Sequence, residues 1–216
     1  NNDGCVVARS AEAKALGISM GVPLFQIRQA IRKHGILVFS SNYELYADMS
    51  ARMMAAIASL TPRIEVYSID ECFADLTGIA ELQQLGTLIR RRVYKWTRIT
   101  TCVGIGHSKV QAKLANHIAK KNPAWSGVCN LVDMEPDQRD ALLADIPVNN
   151  IWGIGRKLTS HLQGMGILTA LQLRDADQGT IRKKFGVVVE RICRELAGHS
   201  CLELSEVTEP KQQIIR

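Results

Sequence analysis

Two adjacent carboxylates, Asp70 and Glu71, end an extended run of residues at positions 64–69. Neighbouring carboxylates repel each other unless a cation lies between them, so an acidic pair at the end of a strand indicates a divalent-metal site. Two metal ions roughly 3.5–4 Å apart can stabilise the attacking and leaving oxygens of a phosphoryl transfer. A solvent-facing turn explains many Asp-Glu pairs, so the pair needs support from its surroundings. For Asp75, on the next strand, a hydrogen-bonding role is the better interpretation.

The second feature is a long basic stretch. Between Leu82 and Val132 lie nine Lys or Arg residues and no Asp or Glu. A helix is predicted from Ser108 to Lys121, and one of its faces carries four polar residues at helical spacing: Lys109, Lys113, Asn116 and Lys120. Such a row can bind phosphates, and the helix N-terminus adds free backbone N–H groups. A solvated lysine face is the alternative, but solvated helices usually carry mixed charge.

The third feature is the glycine pair of Gly153-Ile154-Gly155, followed by Arg156 and Lys157. A Gly-x-Gly turn between two short helices lets backbone N–H groups approach a phosphate closely. The pattern resembles a helix–hairpin–helix, which binds the nucleic-acid backbone without reading its sequence. These two glycines and two cations are therefore predicted to bind DNA, as are Lys109 and Lys113.

Alternating strands and helices must position these residues. Strands are predicted at 5–8, 36–39, 64–69, 72–76 and 100–105, and helices at 11–16, 24–33, 43–60, 82–96 and 108–121. Beyond an acidic run that begins at Asp133, only helices are predicted, at 136–144, 156–164, 168–173 and 178–197. The last helix has a core stripe of Ile181, Phe185, Val188, Ile192 and Leu196. Residues 212–216 read as an edge strand or a linker. The pattern predicts an α+β fold with an all-α C-terminal part.

Composition limits the function classes. The 216 residues carry a net charge of +6 and a pI near 9.1, which favours polyanionic partners. The longest apolar runs are too short to span a bilayer, and no signal peptide opens the chain, so no membrane partner is expected. Six cysteines without a CxxC pair or zinc-type spacing indicate buried thiols in a reducing, cytoplasmic setting.

Several motifs together resemble the Y-family translesion DNA polymerases. They are Tyr67-Ser68-Ile69-Asp70-Glu71, Val103-Gly104-Ile105-Gly106 with Ser108-Lys109, and the Gly153-Ile154-Gly155 hairpin. The stretches 12–17 and 40–50 resemble the UmuC branch, the catalytic subunit type of bacterial DNA polymerase V. The resemblance covers essentially the whole chain.

This resemblance implies a palm with a mixed sheet, small α/β fingers and an all-α helix–hairpin–helix thumb. The fingers would be residues 1–42, the palm 43–128, the thumb 129–202, and 203–216 a linker towards a little-finger domain. Asp70 and Glu71 would be catalytic ligands of two Mg²⁺ ions. Lys14 and Lys120 match positions at which the family binds the incoming triphosphate.

The implied function is error-prone translesion synthesis in DNA repair and the SOS response. A primer 3′-hydroxyl would attack the α-phosphorus of a dNTP on primer-template DNA that carries damage. By resemblance, partners would include a UmuD-type accessory dimer, a recombinase filament and a sliding clamp. The family's first palm strand, with a further metal-binding Asp, would lie upstream of Asn1, and its little finger downstream of Arg216. The fragment alone is therefore expected to be inactive.

Two other functions are compatible with the residues. In a non-catalytic DNA-binding module, the basic helix and hairpin would bind duplex backbone, and Asp70 and Glu71 would have only a structural role. A nucleotide cyclase also carries paired acids on a hairpin, but it has no need for the duplex-binding hairpin at 153–157.

Overall fold

The computed structural model describes residues 4–204, and the chain divides into two units, Asn1–Tyr46 and Ala47–Arg216. The predicted strand or linker at 212–216 lies outside the described residues, as does the predicted linker 203–216 apart from its first two residues.

The first unit is built from short helices with little core. Helix α1 (Ala11–Ala15) begins after Ser10, whose hydroxyl accepts a hydrogen bond from the Ala13 N–H. A 3₁₀ turn at Leu24–Ile27 precedes α2 (Arg28–His34), so the single helix predicted at 24–33 is wrong. Ile18 is the one buried residue among residues 4–46.

Neither strand predicted in this unit forms. Cys5 makes a single antiparallel bridge with Pro23, and residues 36–42 have no regular structure. A strand needs a neighbour to pair its backbone groups, and residues 4–46 offer only that one bridge. Apolar runs at 5–8 and 36–39 therefore did not suffice to predict strands.

The second unit opens with α3 (Tyr43–Ala58), which begins in the first unit, and then forms two small sheets. Strand β1 (Arg63–Val66) pairs with β2 (Cys72–Asp75) in antiparallel fashion, and β3 (Val103–Ile105) pairs with β4 (Val128–Asn130) in parallel. Sequence analysis missed β4, and β1 and β3 are shorter than predicted. Strands of both orientations with helices confirm the predicted α+β class.

Helices α4 (Leu82–Thr97) and α5 (Lys109–Lys121) pack on opposite faces of the β3–β4 sheet. A Cβ on Gly86 of α4 would lie 2.7 Å from Val128 Cγ1 and 3.5 Å from the side chains of both Val103 and Ile105. A Cβ on Gly104, between those two residues, would lie 2.0 Å from the backbone N of Asn116 in α5. Because side chains alternate along a strand, α4 and α5 lie on different sides.

The sheets therefore separate two apolar cores. The smaller one joins α3 and α4 through Met53, Met54, Ala56, Ile89 and Val93. The larger one joins α5 and β4 to the helices that follow, through residues such as Val110, Leu114, Leu143, Leu162 and Val189. The basic helix α5 is thus anchored in the core of the C-terminal part.

The C-terminal part is helical, as predicted. Its helices are α6 (Pro136–Asp145), α7 (Arg156–Gly164), α8 (Ala170–Arg174), α9 (Gln178–Phe185) and α10 (Val187–Leu196). The single helix predicted at 178–197 is wrong, because Gly186 breaks it with φ 82°. The break shifts the helical phase, so Val188 is 64% exposed and Val189 is buried instead.

Glu195 connects three segments of the second unit from a fully buried position. Its carboxylate accepts hydrogen bonds from the backbone N–H groups of Val110 (3.0 Å), Cys201 (2.8 Å) and Leu202 (2.9 Å). The Ser108 hydroxyl donates to the Glu195 carbonyl at 2.7 Å. The carboxylate thus satisfies one of the free N–H groups at the start of α5 and ties that start to α10 and to residues 201–202.

Among the described residues, none of the helices combines the length and the hydropathy that crossing a bilayer requires. All six cysteines are free thiols, but Cys129 and Cys193 alone are buried, so the predicted burial is wrong for the other four.

Candidate functional site

The two adjacent acids lie in the turn between β1 and β2. The turn closes where the N–H groups of Tyr67 and Ser68 both donate to the Glu71 carbonyl, at 3.0 Å each. The Ser68 hydroxyl donates to Asp70 Oδ1 at 2.7 Å, which restrains that carboxylate. Both acidic side chains are exposed, so their oxygens are accessible to a ligand.

Helix α5 faces this turn with its lysine row, but part of the row is already paired. Lys113 Nζ lies 2.7 Å from Glu71 Oε2, with 24% and 44% of the two side chains exposed. Lys109 Nζ lies 2.6 Å from Glu65 Oε2 on β1, and both side chains are largely buried. Lys109 also donates to the Glu203 carbonyl at 2.9 Å. The acidic partners that the helix itself lacks thus come from β1 and the turn.

The remaining members of the row differ from each other. Asn116 donates its side-chain amide to the Cys102 carbonyl at 2.8 Å, so it holds the backbone and does not face a ligand. Lys120, in the last turn of α5, is exposed. Burial, followed by the charges of Lys121 and Lys120 one turn further along the helix, lowers the pKa of His117. The end of α5 therefore presents a positive potential to solvent.

An aromatic cluster connects the acidic turn to the glycine hairpin. The Trp152 indole N–H donates to the Tyr67 hydroxyl at 3.2 Å, and the two rings meet edge to face with centroids 5.6 Å apart. Phe73 packs 5.7 Å from both rings. Lys109 and Lys113 each place Nζ 5.1 Å from a ring centroid, over Phe73 and Tyr67 respectively. Sequence reasoning missed this contact, since its partners are 85 residues apart.

The hairpin that follows Trp152 is a tight turn that leads into α7. Gly153 has φ 89°, and a Cβ there would lie 2.8 Å from the Ile192 side chain, so a glycine is required. Ile154 is buried and anchors the turn, while Gly155 precedes α7 in an extended conformation. Arg156 and Lys157 are exposed at the first positions of α7.

Lys14, the other predicted nucleotide-binding residue, belongs to the first unit. It lies on α1, and its side chain is exposed. Helix α1 is only five residues long, and Ser10 caps it.

The donor chemistry of the turn suits a hard cation. Asp70 and Glu71 offer carboxylate oxygens, and Mg²⁺ is commonly held by one or two carboxylates together with substrate phosphates. Asp75 is otherwise engaged: the Thr77 N–H donates to it at 3.0 Å and Arg63 lies 3.2 Å away. Thr77 and, to a lesser extent, Arg63 lower the pKa of Asp75. Residues 4–204 contain no cluster of three His, Cys, Asp or Glu side chains that could hold a metal.

Comparison with known proteins gives two family matches. Residues 1–117 match the impB/mucB/samB family, and residues 136–167 match the helix–hairpin–helix motif of the IMS family. The second match contains the hairpin and α7.

Related proteins cover the whole chain. Protein UmuC of Salmonella typhimurium (strain LT2) is 50% identical over 100% of this chain and 51% of its own length. DNA polymerase IV of Moorella thermoacetica is 32% identical over 86% of this chain and 45% of its own length. A solved Y-family DNA polymerase chimera of Dbh and Dpo4 is 25% identical, with a TM-score of 0.78 over 97% of this chain and 60% of that chain. The chain thus spans about half the length of the relatives it matches.

Proposed function

Since this chain belongs to the impB/mucB/samB family, we propose that it is part of an error-prone, template-directed DNA polymerase that copies damaged DNA. The observation that carries the proposal is the accessible Asp70–Glu71 pair, which faces a lysine of α5 in a chain of this family. Relatives named UmuC and DNA polymerase IV support the same function.

Asp70 and Glu71 are the proposed ligands of two Mg²⁺ ions, together with phosphate oxygens of the substrate. When bound, Mg²⁺ lowers the pKa of the primer 3′-hydroxyl and neutralises charge on the departing pyrophosphate. Ser68 fixes the orientation of Asp70 through its 2.7 Å hydrogen bond. Lys113 offsets the repulsion between the two acids, since its charge lies beside Glu71.

The cations at the ends of helices are proposed to bind phosphates. Lys120 and Lys14 would contact the triphosphate of the incoming dNTP. Gly153, Gly155, Arg156 and Lys157 would bind the DNA backbone, as exposed cations and turn N–H groups do in helix–hairpin–helix motifs. Lys113 would contact DNA only after leaving Glu71, and Lys109 is held by Glu65, so its DNA-binding role is the least supported of the set.

The setting of the intact protein follows from the resemblance. We propose that it acts in the cytoplasm during the SOS response. A UmuD-type accessory dimer, a recombinase filament and a sliding clamp are the proposed partners.

The test is primer extension opposite an abasic site by the full-length protein that contains this chain. Asp70→Asn should lower the extension rate by about 100-fold or more, because a bound metal supplies several kcal/mol of transition-state stabilisation. Asp75→Asn is the matched control on the same hairpin and should keep the rate within a few fold. Primer-template affinity should be equal in all three proteins. Extension by the Asp70 variant at the wild-type rate would refute the proposal.

The Lys113–Glu71 ion pair favours a second candidate, a non-catalytic module that binds DNA backbone. In that case Glu71 has a structural role and needs no metal. Binding of dNTP distinguishes the two: the polymerase requires Mg²⁺ for tight dNTP binding, whereas the module binds DNA in a salt-dependent manner and is indifferent to Mg²⁺.

A further inference from the structure

The outer side of α4 carries cations and aromatic rings with no acidic residue among them. We call this surface the α4 outer face, and it consists of Arg91, Arg92, Tyr94, Lys95, Trp96 and Arg98. All of these side chains except the half-buried Arg92 are exposed. The opposite side of the helix is buried through Ile89, Val93 and Thr97 against the smaller core.

The cations of this face have no acidic partners in the described part of the chain. Residues 4–204 place no ion pair on any of its four Arg and Lys side chains, in contrast to Lys109 and Lys113 on α5. Four uncompensated positive charges within eight positions are repulsive unless an anion lies nearby. The face therefore suits a polyanion.

The rings add a second kind of recognition. Trp96 is 53% exposed and Tyr94 is 47% exposed, which is high for side chains of this size on a helix that also has a buried face. The Arg92 guanidinium lies 5.0 Å from the centroid of the Trp96 ring, and that of Arg98 lies 5.5 Å from the Tyr94 ring. Each pair places a guanidinium beside an exposed aromatic ring, a combination on which an unstacked base can stack.

The α4 outer face is separate from the acidic turn. Helix α5 and its lysines lie on the other side of the β3–β4 sheet, as Gly86 and Gly104 show. A ligand on α4 would therefore not compete with a ligand at Asp70 and Glu71.

We propose that the α4 outer face binds single-stranded DNA. Arg91 and Lys95 would pair with phosphates, while bases stack on the Trp96 and Tyr94 rings. Duplex DNA would contact only the cations, because its bases are already stacked on each other. An acidic peptide would also pair with the cations without stacking on the rings. This binding goes beyond the proposed polymerase function and does not depend on catalysis.

The test measures binding of fluorescently labelled oligo(dT) to the full-length protein by anisotropy over a range of salt concentrations. Arg91→Gln with Lys95→Gln should weaken binding and lower the slope of log K against log salt by about 1.4, since each phosphate contact on a single strand contributes about 0.7. Tyr94→Ala with Trp96→Ala removes two stacking rings, so it should weaken binding by about 30-fold or more and leave that slope unchanged.

A matched control is Arg32→Gln with Lys33→Gln, which removes the same charge from exposed positions of α2 and should change affinity less than twofold. The far-UV circular dichroism and the urea-unfolding midpoint of the α4 variants should match those of the wild type, which shows that they fold. The proposal is overturned if the ring variant binds oligo(dT) as the wild type does. Equal losses in the charge variant and the α2 control would also overturn it, and so would equal effects on duplex and single-stranded affinity.

Discussion

Helices α4 and α5 are both basic and lie on opposite faces of the same small sheet, yet their cations have different surroundings. The α5 lysines nearest the acidic turn are bonded to Glu65 and Glu71 and lie over aromatic rings. Within residues 4–204, the cations of the α4 outer face have rings beside them but no acids. A lysine row on a helix is thus not by itself a phosphate site. What decides its availability is the charge that the neighbouring elements bring to it.

The largest effect should come from Gly104, one of the two glycines that set the distance of each helix from the sheet. In Gly104→Ala the new Cβ would meet backbone atoms of α5, 2.0 Å from Asn116 N and 2.2 Å from the Ala112 carbonyl oxygen. The backbone of a packed helix cannot move aside as a flexible side chain can. We therefore expect a loss of about 3 kcal/mol or more in the free energy of unfolding. Urea denaturation measures it.

Gly86→Ala is the matched substitution on the α4 side. Its Cβ would meet only side chains, the nearest being Val128 Cγ1 at 2.7 Å. Alanine also gains up to about 1 kcal/mol of helix propensity, so the net change should stay within about 1 kcal/mol. Equal destabilisation by both variants would show that the two helix–sheet contacts do not differ as described.

The second prediction separates the two lysine pairs of α5. Lys109→Ala should lower stability more than Lys113→Ala does, by about 2 kcal/mol, because it removes one ion-pair contact of the largely buried Glu65 carboxylate. Lys113→Ala should cost less than about 1 kcal/mol, since its pair with Glu71 is partly exposed to water and screened by salt. Denaturation in low and high salt measures both losses. A greater loss for Lys113→Ala than for Lys109→Ala would contradict the assignment.

The smallest effect concerns the thiols of the two cores. Burial raises the pKa of Cys72, which packs against the smaller core, to about 11. Burial also raises the pKa of Cys129, in the larger core, to about 12. Both are protonated at neutral pH, and their thiolate fraction rises about tenfold per pH unit up to the pKa. Iodoacetamide should therefore label Cys72 faster as pH rises from 8 to 10.

Cys129 should stay unlabelled over that range until the chain unfolds, because it is fully buried whereas Cys72 is partly exposed. Mass spectrometry of the alkylated peptides reads out both sites. Labelling of Cys129 at the rate of Cys72 would show that the larger core opens to solvent as readily as the smaller core.

Sequence patterns predicted the elements whose formation depends on neighbouring residues, such as helices with a clear apolar period and a capping residue. Helices α4 and α5 lie within one or two residues of their predicted limits, because each has a clear apolar period. Ser108 caps α5 through the Gln111 N–H. Strand β4 was missed because its three residues, Val128–Asn130, are too few to show a period. The break at Gly186 was missed because the apolar spacing continues across it.

The candidate site was predicted in part. Asp70 and Glu71 come together in a turn, as their adjacency indicated, and Ser68 supports them. The partners of the lysines could not be predicted, since Glu65 lies 44 residues from Lys109 in the sequence. No local pattern reports a contact across that distance. The roles proposed for the individual site residues are tested by the experiments described above.

The buried Glu195 has a mechanical consequence. One carboxylate binds the first turn of α5 and the backbone at Cys201 and Leu202. These segments are therefore expected to move together. A pull on the chain just beyond α10 would be transmitted to the base of α5 and, three residues further along that helix, to the lysine that bridges to the acidic turn. Strain applied just beyond α10 would thereby reach Glu71 through bonded and hydrogen-bonded groups alone.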